Sequence, residues 1–247
     1  MTDSKRISYF LPNTFTALNM ACGFICIMLT MKGEFQKGSY FLLLGAIFDM
    51  VDGRVARLTG TESAFGEQFD SMSDLISFGM APALLFYYRF LTGFGRLGMV
   101  LTFLFLLCGA LRLARFNANI EKVNSNYFQG LPIPTAALGI IGLTLLSVEF
   151  EFILKFNYLG LGYIFLYAIL MVTNIPFPSF KKSDWVQKHK KQTLFFIMCL
   201  LALILVYEEI MIAVIITVYV FGSILYYLTH KSKFQDVFNW KNEEDHA

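Results

Sequence analysis

Apolar runs of membrane-crossing length decide what this chain can fold into. About eight stretches of mostly apolar residues recur along it: 14–31, 39–58, 68–90, 95–116, 133–150, 158–174, 193–208 and 209–229. A span of ~20 such residues crosses the hydrocarbon core of a bilayer as a helix. Inside lipid each backbone N–H and C=O must be satisfied within the chain, which leaves helices or closed barrels. Runs this long and this continuously apolar predict helices. The expected fold class is therefore all-α, a polytopic membrane bundle of about eight helices. Composition agrees, with 56% hydrophobic residues, only 15% charged and 27 phenylalanines, at a mean hydropathy of +0.58. The last two runs are parted merely by Glu208-Glu209 and could equally be one broken segment. Residues 1–13 lack an apolar core of the kind a cleavable signal has. They are expected as an N-terminal segment, followed by a membrane domain over 14–230 and a polar tail over 231–247.

Lys and Arg set the expected orientation. With eight spans, fifteen fall on one side of the membrane and five on the other, which accounts for all 20. The positive-inside rule then places both termini, and the acidic segment described next, in the cytoplasm. Lys181, Lys182, Lys188, Lys190 and Lys191 around Trp185 either fix topology or dock anionic lipid, and the first is the simpler reading. Cys22, Cys26, Cys108 and Cys199 fall within spans and read as small buried hydrophobes. The three histidines lie in loops or the tail, away from any nucleophile. No internal repeat is visible, and no nucleic-acid partner is expected.

Four aspartates interrupt the apolar pattern of the second and third runs. A charged side chain at the bilayer centre costs roughly 2.5–3.5 kcal/mol on insertion scales, so four need something positive among them. Asp49, Asp52 and Gly53 share one helix face, which Ala56 and Arg57 continue; Gly66, Asp70 and Asp74 form a stripe on the next helix. A short polar link, 58–65, makes the two segments expected antiparallel neighbours. Asp49 stands eight positions before Arg57 and Asp74 eight after Gly66, each roughly 12 Å along its helix at ~1.5 Å per residue. Two facing rungs follow, Asp49 with Asp74 and Asp52 with Asp70.

An all-oxygen cluster of this kind selects hard divalent cations, Mg²⁺, Mn²⁺ or Ca²⁺, over zinc. Four carboxylates suit a pair of ions bridged by shared oxygens. Gly53, Ala56 and Gly66 leave bare backbone beside them, and Arg57 adds a permanent cation suited to phosphate. Together these describe a diphosphate site. Solvated acidic residues in a loop are the plainer alternative, but eight positions agree across 26 residues within apolar flanks.

Written D-x2-D-G-x2-A-R-x8-G-x3-D-x3-D, residues 49–74 resemble without departure the signature of the CDP-alcohol phosphatidyltransferases. Four further segments resemble the serine-using branch of that family: 11–19 (LPNTFTALN), 109–117 (GALRLARFN), 128–137 (FQGLPIPTAA) and 174–180 (NIPFPSF). The resemblance covers roughly residues 10–182. It implies a membrane enzyme that moves a phosphatidyl group from CDP-diacylglycerol to L-serine with release of CMP, working with two divalent cations as a homodimer. By the same resemblance Asp49, Asp52 and Asp70 are the main metal ligands, while Asp74 is the general base and a further ligand. Gly53, Ala56, Arg57 and Gly66 line the nucleotide, joined by Asn13 and Thr16; an ordinary helix cap after Pro12 is the alternative for those two.

Arg112 and Arg115 sit at the depth to meet a small anionic acceptor, whose carboxylate an arginine holds well; they read otherwise as topology anchors. Asn117 joins that acceptor group. The segment 130–134 (GLPIP) brings non-helical backbone to the fifth span, facing the acceptor or merely turning the chain. Two other readings stay open. One is the same chemistry with glycerol 3-phosphate or inositol phosphate, which would want a denser cationic pocket. The other is a divalent-cation transporter, for which intramembrane carboxylates are a known mark but a midplane site with broken, repeated helices would be expected.

Overall fold

A computed structural model describes residues 3–119, 127–178 and 206–231, with 198 and 203 as single helical positions. The chain is mostly helical: α1 (Asp3–Met31), α2 (Phe35–Thr59), α3 (Ala64–Asp74), α4 (Ala81–Phe86), α5 (Gly95–Ala118), α6 (Ile133–Glu149), α7 (Asn157–Val172) and α8 (Glu208–Thr229). Wider π-helical turns, Leu75–Met80 and Tyr87–Leu91, flank α4, so one helical run extends from α3 to Leu91. Gly95, at φ +53°, then reverses the chain into α5.

Leu11–Met31, the run Ala64–Ala118 and Glu209–Thr229 are long and apolar enough to cross a membrane, and Ile133–Glu149 and Tyr158–Val172 are shorter apolar helices. This is a membrane protein. Most of the expected span 193–208 lies outside the described residues, as do the lysine cluster around Trp185, Cys199, His189 and residues 232–247. The described cysteines Cys22, Cys26 and Cys108 are free and buried.

Two expectations change. The first helix does not open at Pro12-Asn13; it starts at Asp3 and carries Pro12 inside. Proline removes only one helical N–H, and with helix on both sides the turn survives it. Nor is the fold purely helical. Tyr127–Gln129 (β1) and Pro176–Pro178 (β2) form a short antiparallel pair, with Phe128 opposite Phe177. Proline at both ends of β2 hides it from a strand search, because proline cannot donate to a ladder.

Hydroxyls and small residues set how the first three helices lie. Ser73 Oγ donates to the carbonyl of Thr16 at 3.0 Å, and Ser77 Oγ to that of Asn19 at 2.9 Å. A side chain has no room at Gly23, where a β-carbon would stand 2.9 Å from the Ser77 backbone. These contacts step forward together in sequence, so α3 runs parallel to α1. Between α1 and α2 the order reverses: Thr16 meets Asp52, while Cys26 lies against Gly38. Hence α3 is antiparallel to α2, as the short link requires. Both pack on α1 rather than on each other. The main core lies behind them, where Phe78, Phe86, Phe105, Ile133 and Tyr167 are buried.

The far end of the bundle is closed separately. Arg89 donates to the Ser147 hydroxyl and carbonyl at 3.0 and 2.7 Å and covers the Phe35 ring. Nearby, Lys37 pairs with Glu34 at 2.6 Å and holds its carboxyl below the usual carboxylate range.

Candidate active site

Because α1 holds α2 and α3 from one side, their acidic faces meet across a gap that their backbones do not fill. One carboxylate oxygen from each of Asp49, Asp70 and Asp74 lies within 4.8 Å of the other two. Asp49 and Asp74 are within hydrogen-bonding reach of each other. Each pair of charges at that spacing repels by roughly 3 kcal/mol even at an effective dielectric of 20. Three such pairs rival the whole stability of a typical domain, about 5–15 kcal/mol. A cation among them removes the conflict. Asp70 Oδ1 and Asp74 Oδ1 are moreover buried and take no hydrogen bond from any described residue. An oxygen-only donor set with unpartnered oxygens fits Mg²⁺ or Mn²⁺ and does not suit zinc.

Asp52 stands apart from this trio. It is 4% exposed and its Oδ2 accepts the Thr16 hydroxyl at 2.9 Å. The rung Asp49–Asp74 therefore forms as spacing predicts; Asp52 remains the carboxylate that acts most on Asp70, as spacing also predicts, while it turns one oxygen to Thr16 on α1. Thr16, buried at 3% exposure, holds a carboxylate rather than capping a helix.

The residues expected around a nucleotide gather at the mouth of the gap. Arg57, exposed near the end of α2, folds back over Gly53, where a β-carbon would lie 3.6 Å from its guanidinium. Ala56 receives the closing hydrogen bonds of α2 from Gly60 and Thr61, with Gly60 in the left-handed conformation that ends the helix. Ser63 caps α3 by accepting from the Gly66 N–H at 3.1 Å. A β-carbon at Gly66 would lie 3.6 Å from Asn13 Oδ1, so α1 contributes Asn13 to the same mouth.

The three residues expected to meet an acceptor have separate surroundings. Arg115 is engaged with the protein itself: Nη1 donates to the Val172 carbonyl and Asn174 Oδ1 at 3.1 and 3.2 Å, and Nη2 to the carbonyls of Gln129, Met171 and Thr173 at 3.1–3.3 Å. It thus satisfies the carbonyls left open where α7 ends and ties them to β1. Gly130, at φ +73°, fits beneath it; a β-carbon there would stand 2.6 Å from the Met171 carbonyl. Arg112 is different. It is 7% exposed, within electrostatic reach of Asp74, and lies over the Phe116 ring at 5.3 Å. Arg112, Phe116, Phe128 and Gln129 line one small cavity beside Arg115. Asn117 donates to Ser71 Oγ at 2.9 Å, fastening the end of α5 beside Asp70.

Residues 9–175 match the family model described as CDP-alcohol phosphatidyltransferase. The chain belongs to the CDP-alcohol phosphatidyltransferase family. Among its relatives, the Helicobacter pylori protein named CDP-diacylglycerol–serine O-phosphatidyltransferase is 41% identical over 178 residues, covering 72% of this chain and 75% of that one. A Saccharomyces cerevisiae protein of the same name is 36% identical over 200 residues, 74% of this chain and 63% of the relative. An archaetidylserine synthase from Methanothermobacter thermautotrophicus is 36% identical over 182 residues, 72% and 74% respectively. Members of this family use divalent cations, in keeping with the trio Asp49, Asp70 and Asp74. Ser73, Ser77, Gln129 and Asn174 were not singled out from sequence, although the last two lie within segments that carry the resemblance; their hydrogen bonds cross 45 to 58 residues.

Proposed function

We propose that this membrane enzyme transfers the phosphatidyl group of CDP-diacylglycerol to L-serine, giving phosphatidylserine and CMP. The carrying observation is the carboxylate trio, whose member Asp74 is within electrostatic reach of the buried Arg112. Relatives named for the serine reaction, aligned over some three-quarters of their length, support the acceptor. A lipid donor is supported by an apolar groove of about 640 Å³ between α2, α6 and α8. Leu43, Ile47, Leu138 and Ile212 line it, and it reaches Asp49.

Asp49, Asp52, Asp70 and Asp74 would hold two divalent cations, Mg²⁺ or Mn²⁺, with Ca²⁺ a further ion the donor set accepts. When bound, these neutralise the diphosphate and the charge that builds on leaving CMP. Gly53, Ala56 and Gly66 let the nucleotide lie against backbone, with Arg57 on a phosphate and Asn13 beside it. Thr16 keeps Asp52 turned inward. Arg112 holds the serine carboxylate, in a wall that Arg115 and Asn117 keep in shape. Asp74 takes the proton of the serine hydroxyl. The serine oxygen forms its bond to the phosphorus bearing diacylglycerol as the bond from that phosphorus to the bridging diphosphate oxygen breaks, and CMP leaves with the electron pair.

The same reading has the chain cross the membrane about eight times, work as a homodimer, and keep its termini and active site in the cytoplasm. Arg54, Arg57, Arg112 and Arg115 lie at the acidic end while Lys32, Lys37, Arg89 and Arg96 lie at the other, the asymmetry expected of that orientation. CMP release from CDP-diacylglycerol by purified protein, offered serine, glycerol 3-phosphate and inositol phosphate in turn, tests the acceptor. Release with serine alone is expected; preference for a phosphorylated alcohol would overturn it.

A further inference from the structure

Arg115 decides how two neighbouring amides face. An arginine only donates, so the Asn174 atom that its Nη1 meets at 3.2 Å is the carbonyl oxygen Oδ1. That oxygen also lies 3.0 Å from the amide of Gln129. Facing an acceptor, Gln129 must present its nitrogen, Nε2. The orientation that is often ambiguous for a glutamine is therefore fixed here by a chain of donors beginning at Arg115. Its carbonyl oxygen Oε1 is left turned away from Asn174, and it accepts no hydrogen bond from the described residues.

Gln129 and Arg112 line the same small cavity, between the Phe116 and Phe128 rings. Arg112 is buried, and among the described residues it has neither a hydrogen-bond partner nor an ion pair within 4 Å. Burying a guanidinium without partners is costly, so an anion is the natural complement. Arg112, a cation without a partner, and Gln129, whose carbonyl oxygen accepts no hydrogen bond from the described residues, thus line one cavity. A zwitterion carries matching groups on a single carbon.

We propose that Gln129 selects an amino acid as the acceptor: its Oε1 takes the ammonium group while Arg112 takes the carboxylate. This deepens the serine reading and rests on it. A phosphorylated alcohol would turn phosphate oxygens toward Oε1, where lone pairs oppose one another. The cavity's free volume is about 10 Å³, the space of one water, so the amino acid stands at its mouth with only its charged groups turned inward. Its hydroxyl arm lies on the side of Asp74, the carboxylate within electrostatic reach of Arg112.

The test compares serine with 3-hydroxypropanoate, which is serine without its amino group, as acceptors in the full-length enzyme. Wild-type protein should favour serine in kcat/KM by roughly 10- to 100-fold, the range of a hydrogen bond to a charged group. Gln129→Met should lose most of that preference with KM for CDP-diacylglycerol within about twofold. Gln129→Asn, which withdraws the oxygen by one methylene but keeps the amide, serves if the first variant does not fold, and should lose preference in the same sense. A preference unchanged in the folded variant overturns the assignment of Gln129 alone. Failure of wild-type protein to use serine at all defeats the reading on which it rests.

Discussion

The Thr16 hydroxyl donates to Asp52 Oδ2 at 2.9 Å, across 36 residues of sequence and between two helices. Both groups are buried. The bond separates one of four aspartates from the other three, so the family signature contains two kinds of carboxylate. Asp49, Asp70 and Asp74 crowd one another, while Asp52 is steadied by a neighbouring helix.

Thr16→Val keeps the shape of the side chain and removes the donor. Leaving a buried carboxylate without it costs roughly 1–3 kcal/mol. Thermal unfolding should report a loss of that order, and CMP release should fall at least about tenfold. Thr16→Ser should restore most of both, since only the hydroxyl is required.

Asp74→Asn keeps the volume of the side chain and removes the proposed base. Transfer should fall by about 10²-fold or more, the scale of general-base catalysis, while CDP-diacylglycerol still binds. Isothermal titration against turnover separates the two; normal turnover in this variant would remove Asp74 from the chemistry.

The two arginines of α5 should differ. Arg115→Ala unties five acceptors and should lower the unfolding temperature, with Arg115→Lys a poor substitute because an ammonium cannot span them. Arg112→Ala should leave unfolding nearly unchanged and raise KM for serine at least tenfold. Equal thermal effects of the two alanine variants would erase the distinction.

Gly130→Ala should destabilise through the β1–α7 junction. The residue is at φ +73°, and the added carbon would stand 2.6 Å from the Met171 carbonyl and 2.9 Å from Arg115 Nη2. Strain and overpacking together amount to about 1–3 kcal/mol, readable as a lower unfolding temperature with the acceptor site impaired in parallel.

Helical rise made the carboxylates legible. Counting from Arg57 and Gly66 was enough to bring Asp49 opposite Asp74, because a rise of about 1.5 Å per residue holds in any α-helix. The same count brought Asp52 near Asp70 but gave no hint of its bond to Thr16, since which neighbour a side chain turns to depends on a third helix. Arg112 and Arg115 have nearly equal depth, and depth was all that sequence offered. What distinguishes them is the set of carbonyls where α7 stops, 56 residues or more further along. β1 and β2 escaped notice because a three-residue strand has no period to detect, and proline bounds β2 besides. The π-helical turns after Asp74 and Phe86 likewise leave no mark in an apolar run.

Manganese binding followed by electron paramagnetic resonance, with CDP-diacylglycerol present, tests most directly whether the acidic gap is a metal centre. Wild-type protein should bind two Mn²⁺ per chain with the broadened signal of neighbouring ions, and Asp70→Asn should bind at most one. Equal binding by both proteins, or no binding by a wild-type enzyme that still releases CMP in chelator, would contradict the account.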